Sequence, residues 1–267
     1  MRLVGITTRW GSVVNETHDQ HDNSRVEQYE RIIAEMAELA GGLAHELRNP
    51  LSTMMLNLRL LAEDLRDSGI DFQDTRRRAL LKVDVLLAEA ERLQGLFDDF
   101  LSLTGPCNLR KRETDLCDVI HRLTQFFEPL VTSKAIEFRV TGTDRPIRCC
   151  VDEKLLSQAL LNLLVNAQEA MPHGGTLDVK VERGDHEAVI LVCDTGVGIT
   201  AEDGDRVFRP FFSNKAGGTG LGLSLTRRIV RAHGGSLDFR SEPNKGTTFS
   251  MRLPLGETAG GPTSAGC

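Results

Sequence analysis

The 267-residue sequence predicts an α+β fold in two parts, a helical hairpin that would form a four-helix bundle as a dimer, followed by an α/β sandwich. Three observations support this prediction. Apolar residues recur at helical spacing through the first hundred residues, whereas after Pro106 segments of period two alternate with helical ones. The helices and strands follow no strict βαβ repeat, which favours an antiparallel-rich sheet with helices on one face. The chain is also longer than one compact core usually needs.

Composition and charge exclude several classes of protein. With 40% hydrophobic and 26% charged residues, the chain resembles a globular protein rather than a disordered or membrane-embedded one. Its longest apolar run is about six residues, against the roughly 18 to 20 that cross a bilayer, and no secretory leader is visible, so we expect no membrane span and a cytoplasmic location. The net charge of −6 disfavours nucleic acid as a partner. Six cysteines without a CxxC pair or zinc-like spacing are expected to be reduced packing residues.

The first predicted element is a long helix from Val26 to about Asp67, in which apolar residues recur every three or four positions. A turn follows over residues 67–73, and a second helical pattern runs from Leu80 until the Gly-Pro pair at 105–106 ends it. Two such helices form an antiparallel hairpin, which by itself buries only one apolar stripe. We therefore expect a homodimer.

The second part of the chain mixes both patterns. The predicted helices are Leu116–Glu128 and Glu153–Ala170, and the predicted strands are 136–140, 177–181, 189–193, 237–239 and 249–253. The predicted division is an N-terminal tail, the hairpin, a linker, a second domain and a disordered C-terminal tail, at residues 1–25, 26–104, 105–112, 113–255 and 256–267.

One histidine of the first helix lies off its apolar face. His45 is about 200° from Leu43 and about 160° from Leu47 around the helix, so its ring is predicted to point to solvent. A buried structural histidine fits this position poorly, while an inert surface histidine remains an alternative.

The neighbours of His45 suggest a reactive role. Glu46 could accept a ring proton and hold the imidazole in its nucleophilic form. Asn49, four residues on, shares the face of His45 and could orient a water molecule. Pro50 removes the backbone hydrogen bond to the Glu46 carbonyl and should bend or loosen the helix.

The segment His-Glu-Leu-Arg-Asn-Pro-Leu, from His45 to Leu51, resembles the phosphoacceptor box of two-component sensor histidine kinases. The Asn before Pro is typical of the nitrogen-regulation variant. This resemblance implies that His45 takes the γ-phosphoryl group of ATP and that Glu46 assists as a base. It also implies that Asn49 supports dephosphorylation of a partner response regulator.

A second set of residues suggests a nucleotide site. Asn162 and Asn166 are two amides on one face of an otherwise apolar helix, where an oxygen could bind Mg²⁺ or the amides could simply be capped or solvated. Asp194 follows a buried strand and precedes Gly196 and Gly198, so its carboxylate could accept a hydrogen bond from a purine amine. A strand-ending turn needs the same residues.

The third cluster is a glycine-rich run that enters an amphipathic helix. Free backbone N–H groups at such a helix start can cradle phosphates, although a plain capping turn has the same composition. Neither a P-loop nor a dinucleotide-binding fingerprint is present. The residues of this cluster are Gly218, Gly220, Leu221 and Gly222.

In order, these clusters resemble the catalytic domain of histidine kinases, within the superfamily of gyrase, Hsp90-type chaperones and MutL. Phe208–Phe212 resembles its F box, and Lys245–Phe249 its closing strand. The resemblance implies that ATP and Mg²⁺ are bound, with Asn166 on the metal and Asp194 on adenine. It also implies a mobile lid at 200–216 that carries Lys215 near the phosphates.

Hydrolytic members of that superfamily carry a Glu four residues before the metal-binding asparagine, whereas this chain has Asn162, whose amide cannot take a proton. We therefore expect a histidine kinase that phosphorylates His45 and passes the group to an aspartate of a response regulator, of the enhancer-binding type by resemblance. A non-enzymatic phosphotransfer or docking scaffold is the main alternative, and a chaperone-like ATPase clamp a weaker one. Residues 1–25 are too few for a sensor domain, so the signal is expected to enter elsewhere.

Overall fold

The computed structural model describes residues 11–66, 72–215 and 218–255. The chain divides into two compact units, one before and one after the boundary between residues 82 and 83. Thirteen helices and strands occur in the described ranges: α1 Gly11–Arg66, α2 Phe72–Thr104, β1 Arg112–Asp115, α3 Leu116–Thr132, β2 Ile136–Thr141, β3 Arg148–Val151, α4 Glu153–Glu169, β4 Gly175–Arg183, β5 Glu187–Asp194, α5 Ala201–Gly204, α6 Gly222–Ala232, β6 Ser236–Glu242 and β7 Gly246–Pro254.

The first unit contains α1 and the beginning of α2. Helix α1 begins at Gly11, well before the predicted Val26, so part of the predicted tail is helical. The segment 12–25 has no glycine or proline to stop a helix, and it is too polar for apolar spacing to reveal a helix there. The predicted turn lies mostly outside the described residues, and α2 begins at Phe72, inside its predicted range.

The start of α2 folds back on the end of α1, as expected for a hairpin. The Lys82 ammonium lies 2.5 Å from an Asp64 carboxylate oxygen and donates to the Leu60 carbonyl at 3.0 Å. This ion pair holds the pKa of Asp64 below its usual value. One exposed apolar stripe of α1, formed by Leu51, Met55, Leu58 and Leu65, is the surface that the predicted homodimer would cover.

The second unit contains a five-stranded sheet in the order β2-β4-β5-β7-β6. Only β2 and β4 pair in parallel, while the other three pairs are antiparallel, which confirms the antiparallel-rich α/β sandwich. Alternate residues of β5 are buried, and the large buried side chains of α3, α4 and α6 belong to the same apolar core. A separate two-stranded sheet of β1 and β3 was not predicted, because each strand has only four residues.

Within the second unit, the segment between α2 and β1 is hydrogen-bonded to the start of α4 and to α6. The Arg110 backbone N–H donates to an Asp152 carboxylate oxygen at 2.8 Å, and Arg228 donates to the Gly105 carbonyl. The Asp152 N–H in turn donates to Nε2 of buried His233 at 2.9 Å. Burial lowers the pKa of His233, which keeps the ring neutral and able to accept this bond.

The predictions about membrane spans and cysteines can be compared with the described residues. Within the described ranges, no helix is long and apolar enough to cross a membrane. Five cysteines fall in these ranges and none of them forms a disulfide, and burial raises the pKa of Cys149 to about 11, as expected for a packing residue. Cys267 and the predicted C-terminal tail lie outside the described residues.

Candidate functional site

Helix α4 positions the two asparagines. Asp152 caps its first turn by accepting the Leu155 N–H at 3.2 Å, and its apolar residues pack into the core. The opposite face carries Asn162, whose amide donates to the Gly222 carbonyl at 3.3 Å. This bond joins the middle of α4 to the start of α6, so the first asparagine and the second glycine cluster are adjacent.

Asp194 ends strand β5 and is 7% exposed. Its Oδ1 accepts the backbone N–H groups of Gly196 at 2.9 Å and Thr247 at 3.2 Å. Both bonds to described residues end on Oδ1, so Oδ2 is the atom left to accept from a ligand. Burial raises the pKa of Asp194 above its usual value, although the two amides and the charge of Lys215 oppose this change.

The first glycine cluster is shaped by close backbone approach. A Cβ at Gly196 would lie 2.5 Å from the Ala170 carbonyl oxygen, and a Cβ at Gly198 would lie 2.2 Å from that of Glu242. Gly198 also has φ +68°, a conformation that side-chain-bearing residues rarely adopt. The loop is therefore a bare backbone surface between the end of α4 and the turn after β6.

The second glycine cluster ends at the N-terminus of α6. Gly220 has φ +65°, and a Cβ there would lie 2.5 Å from the Phe211 carbonyl carbon. No side chain among the described residues caps α6, so the N–H groups of its first turn could receive a ligand. Leu221 differs from the other predicted binding residues because its side chain is fully buried, which leaves only its backbone to face a ligand.

Between the two clusters lies the predicted lid, of which residues 200–215 are described. The Phe208 ring packs edge-on against Phe239 at 5.8 Å, and the Arg227 guanidinium lies 4.8 Å from the centre of the same ring. Phe212 is covered by Arg206 at 4.4 Å. The F box is thus anchored in the domain by aromatic and cation–π contacts.

The end of the lid brings Lys215 to α4. Its ammonium lies 2.7 Å from a Glu169 carboxylate oxygen and 3.3 Å from both the side-chain and main-chain oxygens of Asn166. The sequence placed Lys215 near the phosphates but missed Glu169. The signal that was available is spacing, because Glu169 follows Asn166 by three residues and so shares its helix face.

These oxygens fit a divalent cation. Asn166 supplies an amide oxygen of the kind that Mg²⁺ accepts, and it already contacts a positive charge. Among the described residues, no three His, Cys, Asp or Glu side chains gather into a metal cluster. A metal here would therefore need oxygens from the nucleotide phosphates to complete its shell.

His45 is exposed on α1, as predicted, and Asn49 is exposed beside it, while Glu46 is half-buried. Pro50 is buried and does not end the helix, which runs unbroken to Arg66. Two residues after Pro50, the Ser52 hydroxyl donates a hydrogen bond to the Arg48 carbonyl at 2.8 Å. A side chain thus adds to the hydrogen bonds of the backbone in this turn.

Two family descriptions match the chain. Residues 35–104 match the His Kinase A (phospho-acceptor) domain, and residues 151–257 match the histidine kinase-, DNA gyrase B-, and HSP90-like ATPase. These ranges contain the residues singled out on α1 and around the two glycine clusters.

Curated relatives agree with the family match. Sensor histidine kinase ZraS of Klebsiella oxytoca is 37% identical over 227 residues, which cover 85% of this chain and 47% of ZraS. Sporulation kinase B of Bacillus subtilis is 31% identical over 220 residues, covering 82% of this chain and 50% of that kinase. The chain therefore spans about half the length of the curated relatives it matches.

Solved structures show the same fold. The catalytic domain of histidine kinase ThkA is 30% identical with a TM-score of 0.50, and the match covers 55% of this chain and 96% of that domain. ThkA in complex with the response regulator TrrA gives a TM-score of 0.69 at 23% identity, over 89% of this chain and 66% of the ThkA chain.

Proposed function

The chain belongs to the two-component sensor histidine kinases, and from that premise we propose that it phosphorylates its own His45 with ATP and then passes the phosphoryl group to an aspartate of a response regulator. The observation that carries this proposal is that one chain contains both an exposed histidine in a phosphoacceptor helix and a second domain built around Asn166 and Asp194.

In this proposal the second domain binds the nucleotide. Oδ2 of Asp194 accepts from the exocyclic amine of adenine, and the uncapped N–H groups at the start of α6 receive phosphate oxygens. Mg²⁺, when bound, neutralises phosphate charge. Asn166 is the residue proposed to hold it, and Lys215 adds a positive charge beside the same position.

His45 is the proposed nucleophile. A neutral ring nitrogen attacks the γ-phosphorus, a P–N bond forms, and the bond between that phosphorus and the bridging oxygen breaks, so that ADP leaves with the electron pair. Glu46, the adjacent carboxylate, takes the proton that the ring must lose. Most of the acceleration comes from positioning and charge neutralisation, as in other phosphoryl transfers.

The response regulator is the proposed second substrate. A phosphoramidate on imidazole is a good phosphoryl donor, and an aspartate oxygen of the regulator would displace the imidazole. Asn49, exposed beside His45, would orient water for removal of phosphate from the regulator. The nitrogen-regulation subtype and an enhancer-binding regulator are parts of the proposal that rest on the phosphoacceptor box alone.

We propose that the protein works as a homodimer, because the exposed apolar stripe of α1 needs a second apolar surface to cover it. We place both activities in the cytoplasm, where ATP and response regulators are found together.

Incubation of the purified chain with γ-labelled ATP, followed by mapping of the modified residue, tests the proposal. We expect an acid-labile phosphate on His45 that disappears in His45→Gln, while ADP binding measured by calorimetry is unchanged. Asn166→Ala should instead lose Mg²⁺-dependent nucleotide binding. Label that persists in His45→Gln would refute the nucleophile. A chain that binds no nucleotide would favour the non-enzymatic scaffold.

A further inference from the structure

The contact between the lid and α4 gathers three oxygens around one cation. They are the Glu169 carboxylate oxygen at 2.7 Å from the Lys215 ammonium, and the side-chain and main-chain oxygens of Asn166, each at 3.3 Å. The carboxylate and the amide lie one helical turn apart, so α4 presents both in the same direction. The geometry is that of a small oxygen site filled by an ammonium.

The chemistry of this site suits a divalent cation better than a lysine alone. Hard oxygen ligands, including a carboxylate, are the ones Mg²⁺ takes from proteins when phosphates complete its shell. A neutral asparagine by itself offers one weak ligand. With Glu169 the site gains a negative charge, which strengthens its attraction for a doubly charged ion.

Glu169 also creates a constraint on nucleotide binding. Once Lys215 moves to the phosphates, the carboxylate of Glu169 is left beside a polyanion, and like charges at short distance repel each other. A divalent cation between the carboxylate and the phosphates removes this repulsion. When a nucleotide binds without a metal, the repulsion remains.

We propose that Glu169 is a second protein ligand for the divalent cation of the bound nucleotide, and that Lys215 occupies the same oxygens until the nucleotide and its metal arrive. This inference rests on the proposed function, since it assumes that nucleotide binds beside Asn166. It assigns to Glu169 a role that makes nucleotide affinity strongly dependent on the metal.

A simpler role for Glu169 predicts a different result. If the residue only pairs with Lys215 at the surface, where the two side chains are 45% and 38% exposed, its removal frees the lysine and shifts nucleotide affinity equally with and without metal. If it binds the metal, its removal changes the difference between the two conditions.

The test is calorimetric titration of the full chain with ADP, in EDTA and in a series of Mg²⁺ concentrations, for wild type and Glu169→Gln. We expect the tightening caused by Mg²⁺ to be about tenfold smaller in Glu169→Gln, as is typical when a group near a metal is lost. Affinity in EDTA should be equal or higher, because the repulsion is gone. A matched control is Glu182→Gln, which removes another exposed carboxylate paired with a lysine, Lys180 at 2.5 Å.

Binding of Mn²⁺ in the presence of ADP, measured from the electron paramagnetic resonance signal of the free ion, gives a direct second readout. Glu169→Gln should bind Mn²⁺ more weakly, while Glu182→Gln should match wild type. Thermal unfolding of each variant checks that the fold is retained.

The possible failures are distinguishable. If wild type binds no ADP under any condition, the proposed function fails and the inference with it. If wild type shows Mg²⁺-dependent binding and Glu169→Gln shows the same dependence, only the inference is overturned. An equal loss of affinity in EDTA and in Mg²⁺ also overturns it, because Glu169 then acts on the lid rather than on the metal.

Discussion

The phosphoacceptor helix and the nucleotide site use backbone in opposite ways. At Gly41, one turn before His45, an added Cβ would meet no described atom within 4 Å beyond the adjacent turns of its own helix. At Gly196 and Gly220 it would meet main-chain atoms 2.5 Å away. The helix carries His45 on regular, open backbone, whereas the glycine clusters of the second domain are irregular backbone packed too closely for side chains.

The key polar groups differ in the same sense. His45 is exposed to solvent, while Asp194 is buried and fixed by two backbone N–H groups. In the proposed function, His45 reacts with two successive partners and needs access. Asp194, proposed to recognise one base, gains from a fixed position and from exclusion of water.

The largest expected effect is on ADP affinity and comes from the protonation or replacement of Asp194. Because burial raises its pKa, the carboxyl takes up a proton at a higher pH than an exposed aspartate, and protonated Oδ2 can no longer accept from adenine. ADP affinity should fall as the pH drops through this raised pKa, by about tenfold per unit below it. Asp194→Asn should bind ADP on the order of 10- to 100-fold more weakly, without this pH dependence.

Calorimetry with ADP and inosine diphosphate, which lacks the exocyclic amine, checks the prediction. Wild type should prefer ADP, and Asp194→Asn should lose the preference. Equal binding of the two nucleotides by wild type would contradict an adenine contact at Asp194.

The next effect contrasts the two backbones directly. Gly220→Ala should destabilise the second domain by about 1–3 kcal/mol, because its φ is positive and the added methyl meets main chain. Gly41→Ala should stabilise α1 by roughly 0.5–1 kcal/mol, because alanine favours a helix and the space is open. Urea unfolding followed by circular dichroism measures both, and changes of the same sign would break the comparison.

The last effect is expected at Asn49, and it is confined to one of the two activities. Asn49→Ala should slow removal of phosphate from the regulator by about 10-fold, with autophosphorylation of His45 changed only a few-fold, since a group that orients water acts by positioning a reactant. Purified regulator and radiolabelled phosphoryl transfer provide the measurement. Equal loss of both activities would show that Asn49 supports the helix rather than a water molecule.

The sequence predicted the features that depend on local pattern. The exposure of His45 followed from its angle to Leu43 and Leu47, and the antiparallel-rich sheet followed from period-two alternation. The early start of α1 was missed because its first turns carry little apolar periodicity.

Contacts between distant residues were not predictable in this way. Glu169 meets Lys215 across 46 residues of chain, and His233 meets Asp152 across 81. Spacing places Glu169 on the helix face of Asn166 but does not indicate Lys215, which the packing of residues 200–215 against α4 brings there. The contact of His233 with Asp152 depends in the same way on the packing of α6 against α4.

The amide of Asn162 has a further consequence. Its N–H donates a hydrogen bond to the Gly222 carbonyl, so a hydrogen-bonded amide stands where the hydrolytic members of the resembled superfamily carry a water-activating glutamate. In the proposed function, ATP held beside Asn162 would then be lost only slowly to hydrolysis. The rate of phosphorylation would depend on how often His45 reaches the triphosphate.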